Sequence, residues 1–302
     1  MTSHLHPRTL QLLAENAEKK TLWMKEPKWT SYEYADRLLR EISLTVKQPP
    51  CHRMPSMLLI GKSNNGKTMI LERALKAHPP ITDIEAESNN VPVIFITMPP
   101  RPDLRRFYSM MLKRLGALFK ESAATSVLEI QTLTLCESLG LRSIIIDEFH
   151  NVARCSVRSQ HEFLNMLRFL SNELRISFVA AGIDSAARVI ASDPQLASRF
   201  RPYSLPLWKD GEEYRKLLYM IESLIPLPEP SFLYKNEEIA QMILTVGEGN
   251  LGDMIDFLKE ATYIAFDDGS PSLTVAHFRD TGFVPKSVQA ARLRDLAKQS
   301  HG

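Results

Sequence analysis

Ser56-Met57-Leu58-Leu59-Ile60-Gly61-Lys62-Ser63-Asn64-Asn65-Gly66-Lys67-Thr68 is the stretch that decides the fold. Residues 61–68 satisfy every fixed position of G-x-x-x-x-G-K-[ST]. The apolar run Met57–Ile60 reads as a short buried strand, and Thr68–Ala77 reads as a helix. A glycine turn matching by chance would lack that strand and helix. Gly61 and Gly66 are expected to let the backbone curl until successive N–H groups point at phosphate oxygens. The helix beginning near Lys67 adds the positive end of its dipole. On this pattern Lys67 reaches the β- and γ-phosphates of a nucleoside triphosphate, and the Thr68 hydroxyl holds Mg²⁺. Contacts to ATP are expected from Gly61, Ser63, Asn64, Asn65, Gly66, Lys67, Thr68 and Met69.

Downstream, His78-Pro79-Pro80 ends the helix, and the polar stretch to Asn90 reads as loop. Val91–Met98 is the next strand, mostly apolar as a parallel strand covered on both faces must be. Asp103 caps a helix running to about Leu115, and Ser126–Ser138 forms another. Leu141–Ile146 is a strand, Val157–Asn172 a helix and Arg175–Ala181 a strand. Asp184–Ile190 and Pro194–Arg199 are short helical pieces before a last short strand, Tyr203–Leu207. This alternation predicts an α/β fold, a parallel sheet sandwiched by helices, with the site along the C-terminal edge of its strands.

From Trp208 onward the pattern is helical only: Gly211–Ser223, Asn236–Val246, Leu251–Ala265 and Thr274–Asp280. Upstream, Thr9–Lys20 and Ser31–Val46 carry helical periodicity. The aromatic connector Trp23–Trp29 between them either packs the leader onto the main domain or covers a nucleotide base or a neighbouring subunit. The expected organisation is an N-terminal helical extension over 1–48, a nucleotide-binding core over 49–207, a helical lid over 208–285 and a basic tail over 286–302. The tail is either a solvated helix or an arm for a partner or DNA.

The 302 residues suffice for one sizeable core and a smaller second one, and 44% apolar with 24% charged residues argues against disorder as the main state. A net charge of +2 gives no global attraction to nucleic acid, so DNA contact requires a local patch. Cys51, Cys136 and Cys155 show no metal-ligand spacing and read as reduced thiols. No run approaches the roughly eighteen apolar residues of a membrane span, and residues 1–8 lack a signal-peptide pattern. A cytoplasmic protein without membrane contact is expected.

The other half of the site is Ile144-Ile145-Ile146-Asp147-Glu148. An apolar strand here delivers two carboxylates at its C-terminal end, where the phosphates lie. Asp147 suits the Mg²⁺ shell, and Glu148 suits a general base for the attacking water. The pair argues for hydrolysis and against a small-molecule kinase. Transition-state charge on the γ-phosphate needs a cation, which ring-forming ATPases take from a neighbouring subunit. Arg199 in Ala197-Ser198-Arg199-Phe200-Arg201-Pro202 is the first candidate to act in trans, ahead of Arg201 and Arg188. Each is otherwise an ordinary surface arginine.

Together the phosphate loop, the Ile144–Glu148 strand, the Ser198-Arg199-Phe200 box and a helical lid resemble the AAA+ superfamily. Within it the chain resembles the TniB/TnsC family of transposition ATPases, and TniB more closely. That resemblance covers about residues 10–285. Its more specific segments are Met98-Pro99-Pro100-Arg101-Pro102-Asp103, followed by Arg106-Phe107-Tyr108, and Ile146-Asp147-Glu148-Phe149-His150-Asn151. Gly249-Asn250-Leu251-Gly252 in the lid belongs with them. The resemblance implies an ATP- and Mg²⁺-dependent homo-oligomer, ring or filament, on double-stranded DNA. It further implies recruitment of a DDE-type, TniA-like transposase, often with a TniQ-like target selector, in a bacterial cytoplasm. Hydrolysis would release the loaded state.

Two departures stand out. Phe178-Val179-Ala180-Ala181-Gly182 offers no polar side chain to sense the γ-phosphate, and Gly249–Asp253 offers no lid arginine. Both predict slow hydrolysis. The basic residues Arg101, Arg105, Arg106, Lys113 and Arg114 are by charge alone a solvated helix face. With the resemblance, Arg101, Arg105 and Lys113 become candidates for phosphate contact on DNA. His150 and Asn151 either couple the Glu148 rotamer to other contacts or cap the next segment. A helicase loader or replication initiator shares the same core and is the nearest rival. A scaffold with structural ATP is a further one.

Overall fold

The computed structural model describes residues 4–83 and 88–299. The chain divides into two compact units, Tyr34–Pro206 and a second made of Met1–Glu33 with Leu207–Gly302. The division falls inside the leader, where the sequence suggested one extension over 1–48. The reason lies in what each half of the leader touches.

Two helices, α1 (Pro7–Leu10) and α2 (Ala17–Lys25), stand where one was expected over Thr9–Lys20. Asn16 starts the second by accepting a hydrogen bond from the Lys19 N–H at 2.9 Å. Met24 of α2 is buried in the core of the helical unit, and the Trp23 indole N–H donates to Leu224 O at 3.0 Å. Helix α3 (Glu33–Lys47) instead belongs to the sheet unit, burying Ala35, Leu38, Ile42 and Val46 at helical spacing.

The sheet unit then runs β1 (Ser56–Ile60), α4 (Lys67–Lys76), β2 (Ile81–Asp83), β3 (Ser88–Asn90) and β4 (Val93–Thr97). It continues through α5 (Leu104–Arg114), α6 (Thr125–Ser138) and β5 (Ser143–Asp147) to a 3-10 helix, Phe149–Arg154. After these come α7 (Val157–Glu173), β6 (Ser177–Gly182), α8 (Asp184–Ala191), α9 (Pro194–Ala197) and β7 (Phe200–Ser204). Five strands form one parallel sheet in the order β4-β5-β6-β1-β7. Strands β5 and β6 are buried throughout, as their unbroken apolar runs require. Phe107 of α5 meets Phe163 of α7 edge-on, ring centres 5.2 Å apart, in the core on one face.

Two further expectations differ from the structure. The last strand runs Phe200–Ser204 rather than Tyr203–Leu207, with Pro202 inside it. Strand β7 is an edge strand paired only with β1, and an edge tolerates a residue without an N–H. Helix α3 binds this strand: the Tyr34 hydroxyl donates to Ser204 O at 2.6 Å, and the Tyr203 hydroxyl to Glu41 Oε2 at 3.2 Å. The stretch before Asn90, read as loop, contains the antiparallel pair β2–β3, with Ile81 opposite Asn90. Its residues are mostly polar and carry no alternation to read.

In the other unit, α10 (Glu212–Glu222), α11 (Glu237–Val246), α12 (Leu251–Asp267) and α13 (Val275–Asp280) enclose Tyr214, Leu233, Ile243, Phe257 and Phe278. Glu222 is only 6% exposed, and its carboxylate accepts from the N–H groups of Ser231, Phe232 and Leu233 at 2.7–2.8 Å. A single side chain thus organises the turn after the proline-rich 226–230 segment. The tail forms α14 (Lys286–Gln299), anchored at its start by Lys286 to Asp253 and Ser287 to Glu248.

Candidate functional site

The strand order sets the site. Strand β6 separates β1, which carries the phosphate loop, from β5, which carries the carboxylates, and all three end on one edge. The connection between β1 and α4 is shaped by two left-handed residues, Asn64 at φ 62° and Gly66 at φ 82°. Asparagine tolerates that region better than most side chains. Gly61 serves another purpose than curling the chain: a Cβ there would stand 3.0 Å from the Leu205 Cβ. Asn65 is buried and donates to Leu205 O and Pro206 O, both at 3.2 Å, so its side chain pins the loop from behind.

Lys67 is 6% exposed and folds into the loop, donating to Gly61 O at 2.8 Å and Lys62 O at 2.7 Å. Burial pulls its ammonium below the usual lysine range, while Asp147 and Glu148 pull the other way. Two neutral carbonyls are modest partners for a buried cation, and a phosphate is a better one. The Thr68 hydroxyl donates to Asp147 Oδ2 at 2.6 Å, across 79 residues of sequence. A hydroxyl and a carboxylate oxygen so converged suit Mg²⁺, which takes its remaining ligands from phosphate and water. Among the described residues no cluster of three or more His, Cys, Asp or Glu could hold a metal without such help.

Glu148 adopts φ 55°, a left-handed conformation rare for a glutamate. Its N–H donates to Asp147 Oδ1 at 2.8 Å, and it opens the 3-10 helix. This turn directs the carboxylate out of the strand line, 44% exposed, with His150 Nε2 at 3.4 Å. Strain of about 1–3 kcal/mol is typical of such residues and is tolerated where neighbours dictate the backbone. The dictating neighbours are visible. Met98 N donates to Asp147 O at 2.9 Å, and the buried Asn151 amide donates to Met98 O at 2.9 Å.

Gly182 ends β6 between the two halves of the site. A Cβ there would lie 2.8 Å from the Ala186 Cβ and 3.2 Å from the His150 N. The place from which a polar sensor would project is therefore filled by the 3-10 helix and α8. His150 approaches Glu148 instead, and its Nδ1 is buried without a hydrogen-bond partner among the described residues.

Arg199 is not brought to this cluster. It precedes β7, and its carbonyl accepts from Ser56 N at 2.9 Å, at the opposite end of the sheet from the phosphate loop. Its guanidinium donates to Asn172 Oδ1 at 2.8 Å and Ser171 Oγ at 3.4 Å, while its Nε is buried without a partner. Burial, then Arg53 and Arg168, hold its pKa below the usual range. Arg201 and Arg188 are exposed. Of the basic residues, Arg101 stands in the loop after β4, Arg105 donates to Glu121 O, and Lys113 lies in the last turn of α5. Arg101 and Lys113 thus flank opposite ends of one helix. Asn250 caps α12, accepting from Asp253 N at 3.5 Å.

Residues 20–210 match the family described as "Bacterial TniB protein". No protein of curated function matches the chain. Among solved structures, the ORC2 protein of Aeropyrum pernix in its ADPNP–ADP complexes superposes with TM-score 0.62 at 19% identity, over 86% of this chain and 70% of that one. The Aeropyrum pernix ORC1 protein in complex with DNA gives 0.60 at 14%, over 87% and 68%. Cdc6p from Pyrobaculum aerophilum gives 0.60 at 17%, over 85% and 69%. At these identities the likeness shows the fold, that of AAA+ P-loop NTPases. No described helix is long and apolar enough to cross a membrane.

Proposed function

This chain belongs to the TniB family, and on that premise we propose that it is an ATP-driven switch for DNA transposition. The observation that carries the reading is the Thr68–Asp147 contact at 2.6 Å, with Glu148 next in the chain and Lys67 one residue away. Lys67 binds the β- and γ-phosphates in place of its two carbonyl partners. Thr68 and Asp147 would hold Mg²⁺, which would supply charge neutralisation for the phosphates. Glu148 takes a proton from water as its oxygen attacks the γ-phosphorus, and ADP leaves. His150 orients that carboxylate.

Arg199 cannot reach its own chain's phosphate loop, so a role in hydrolysis is exercised on a neighbouring copy. ATP-dependent assembly on double-stranded DNA follows, with Arg101, Arg105 and Lys113 toward the phosphodiester backbone. The DNA complex of the similarly folded Aeropyrum ORC1 supports DNA as the partner. The assembly recruits a DDE-type, TniA-like transposase, with a TniQ-like selector, and hydrolysis dissolves it.

The test is to image the full chain with linear duplex DNA, with and without ATP, and to assay ATP turnover. Oligomers that form on DNA only with ATP are expected. Turnover should vanish in Arg199→Ala while ATP still binds. DNA binding indifferent to nucleotide would sink the switch. Full turnover by Arg199→Ala would remove the trans role. Co-purification with a replicative helicase rather than a transposase would favour the loader reading.

A further inference from the structure

A cleft of about 420 Å³ lies between the loop after β4, the end of the 3-10 helix and the first turns of α7. Arg101 and Arg154 both line it. We propose that this cleft seats a phosphodiester of duplex DNA, with Arg154, Arg101 and the start of α7 as its binding groups. The proposal rests on the DNA-binding reading and adds to it a site and a residue, Arg154, that the sequence did not single out.

Charge and pairing carry the argument. Both guanidiniums are exposed, and neither has a carboxylate partner among the described residues. The two carboxylates at the cleft are engaged elsewhere: Asp103 accepts from Arg106 N at 2.8 Å as the cap of α5, and Glu162 pairs with Arg158 at 2.9 Å. Helix α7 has 17 residues, and Ser156 caps it by accepting from Ser159 N, so its first N–H groups add to the positive field there. Arg106 is a further exposed cation, on the first turn of α5. Several separate cations suit a polymer with a phosphate about every 3.4 Å of axis per strand better than a single small anion.

The walls are tied to each other and to the carboxylate pair. The Cys155 thiol approaches Pro102 O at 3.5 Å, and Asn151 donates to Met98 O at 2.9 Å. The 3-10 helix that ends at Arg154 begins immediately after Glu148. A phosphate drawn against Arg154 therefore presses on the same short helix that sets the Glu148 backbone. DNA occupancy should be felt in ATP turnover.

The experiment is fluorescence anisotropy of the full chain with a labelled duplex and a non-hydrolysable ATP analogue, across a salt series. Arg154→Ala should weaken binding roughly tenfold for any sequence and lower the salt slope by about one, with Arg154→Lys retaining most of both. DNA stimulation of ATP turnover should fall with it, while binding of a fluorescent nucleotide is unchanged. Arg154→Gln serves should the alanine variant melt early. Wild-type affinity and slope in both Ala and Gln variants would overturn the cleft and leave the DNA reading standing. Failure of the wild-type chain to bind duplex with the analogue would overturn both.

Discussion

Two buried charges, Lys67 in the phosphate loop and Glu222 in the helical unit, are each 6% exposed and live by opposite rules. Glu222 accepts three backbone N–H bonds from consecutive residues, so an anion finds a preformed socket. Lys67 has two carbonyls of its own loop, and burial outweighs the nearby carboxylates in lowering its pKa. A satisfied buried charge holds a fold together; an under-satisfied one is poised for a ligand. The first belongs to a turn that only has to be stable. The second belongs to a loop that has to exchange its partners.

The largest effect is expected at Lys67. Lys67→Ala should lose about 100-fold or more in ATP affinity by calorimetry, the worth of two charge-assisted contacts, with no loss of melting temperature. A large drop in stability would make Lys67 a structural charge after all. Next, Glu148→Gln should bind ATP normally and turn it over about 10²–10³-fold more slowly, read by phosphate release. Unchanged turnover would remove the general base. Glu222→Ala should do the reverse of Lys67→Ala: a loss on the order of 3 kcal/mol in denaturant unfolding, with a fluorescent nucleotide still bound.

Smaller effects sharpen the picture. His150→Ala should lower turnover about fivefold, near 1 kcal/mol, at unchanged ATP affinity, since it positions Glu148 without touching nucleotide. His78 tests the sign of burial. Both of its ring nitrogens are buried with no hydrogen-bond partner among the described residues, and burial, then Lys47, holds its pKa below the ordinary 6.5. The unfolded chain then takes up a proton that the folded chain resists, so stability is full above about pH 6.5 and is lost as pH falls below it. His78→Phe should flatten that part of the stability profile between pH 7 and 5.

Much of this was legible in the chain itself. The parallel sheet follows from apolar runs alternating with amphipathic ones, and the phosphate loop from eight residues. The β2–β3 pair was hidden by its polar residues, and the other hidden features depend on partners distant in sequence. That β7 can include Pro202 shows only once it stands at the sheet edge against β1. Gly61 reads as a residue for backbone curl until Leu205 is found against it. The halves of the leader look alike as helices, yet Tyr34 binds Ser204 while Trp23 binds Leu224. Arg154 carries no motif at all, and only the cleft makes it a candidate.

Local periodicity and backbone chemistry, written in neighbouring residues, were enough to locate the apolar strands that carry the site and the phosphate loop. The sequence by itself also supplied Thr68, Asp147 and Glu148 as chemical types. Only the tertiary structure decided that Thr68 touches Asp147, that Glu148 leaves its strand left-handed, and that His150 occupies the ground a side chain at Gly182 would need. Those outcomes depend on strand order and close packing, which join residues many positions apart and which no local pattern encodes.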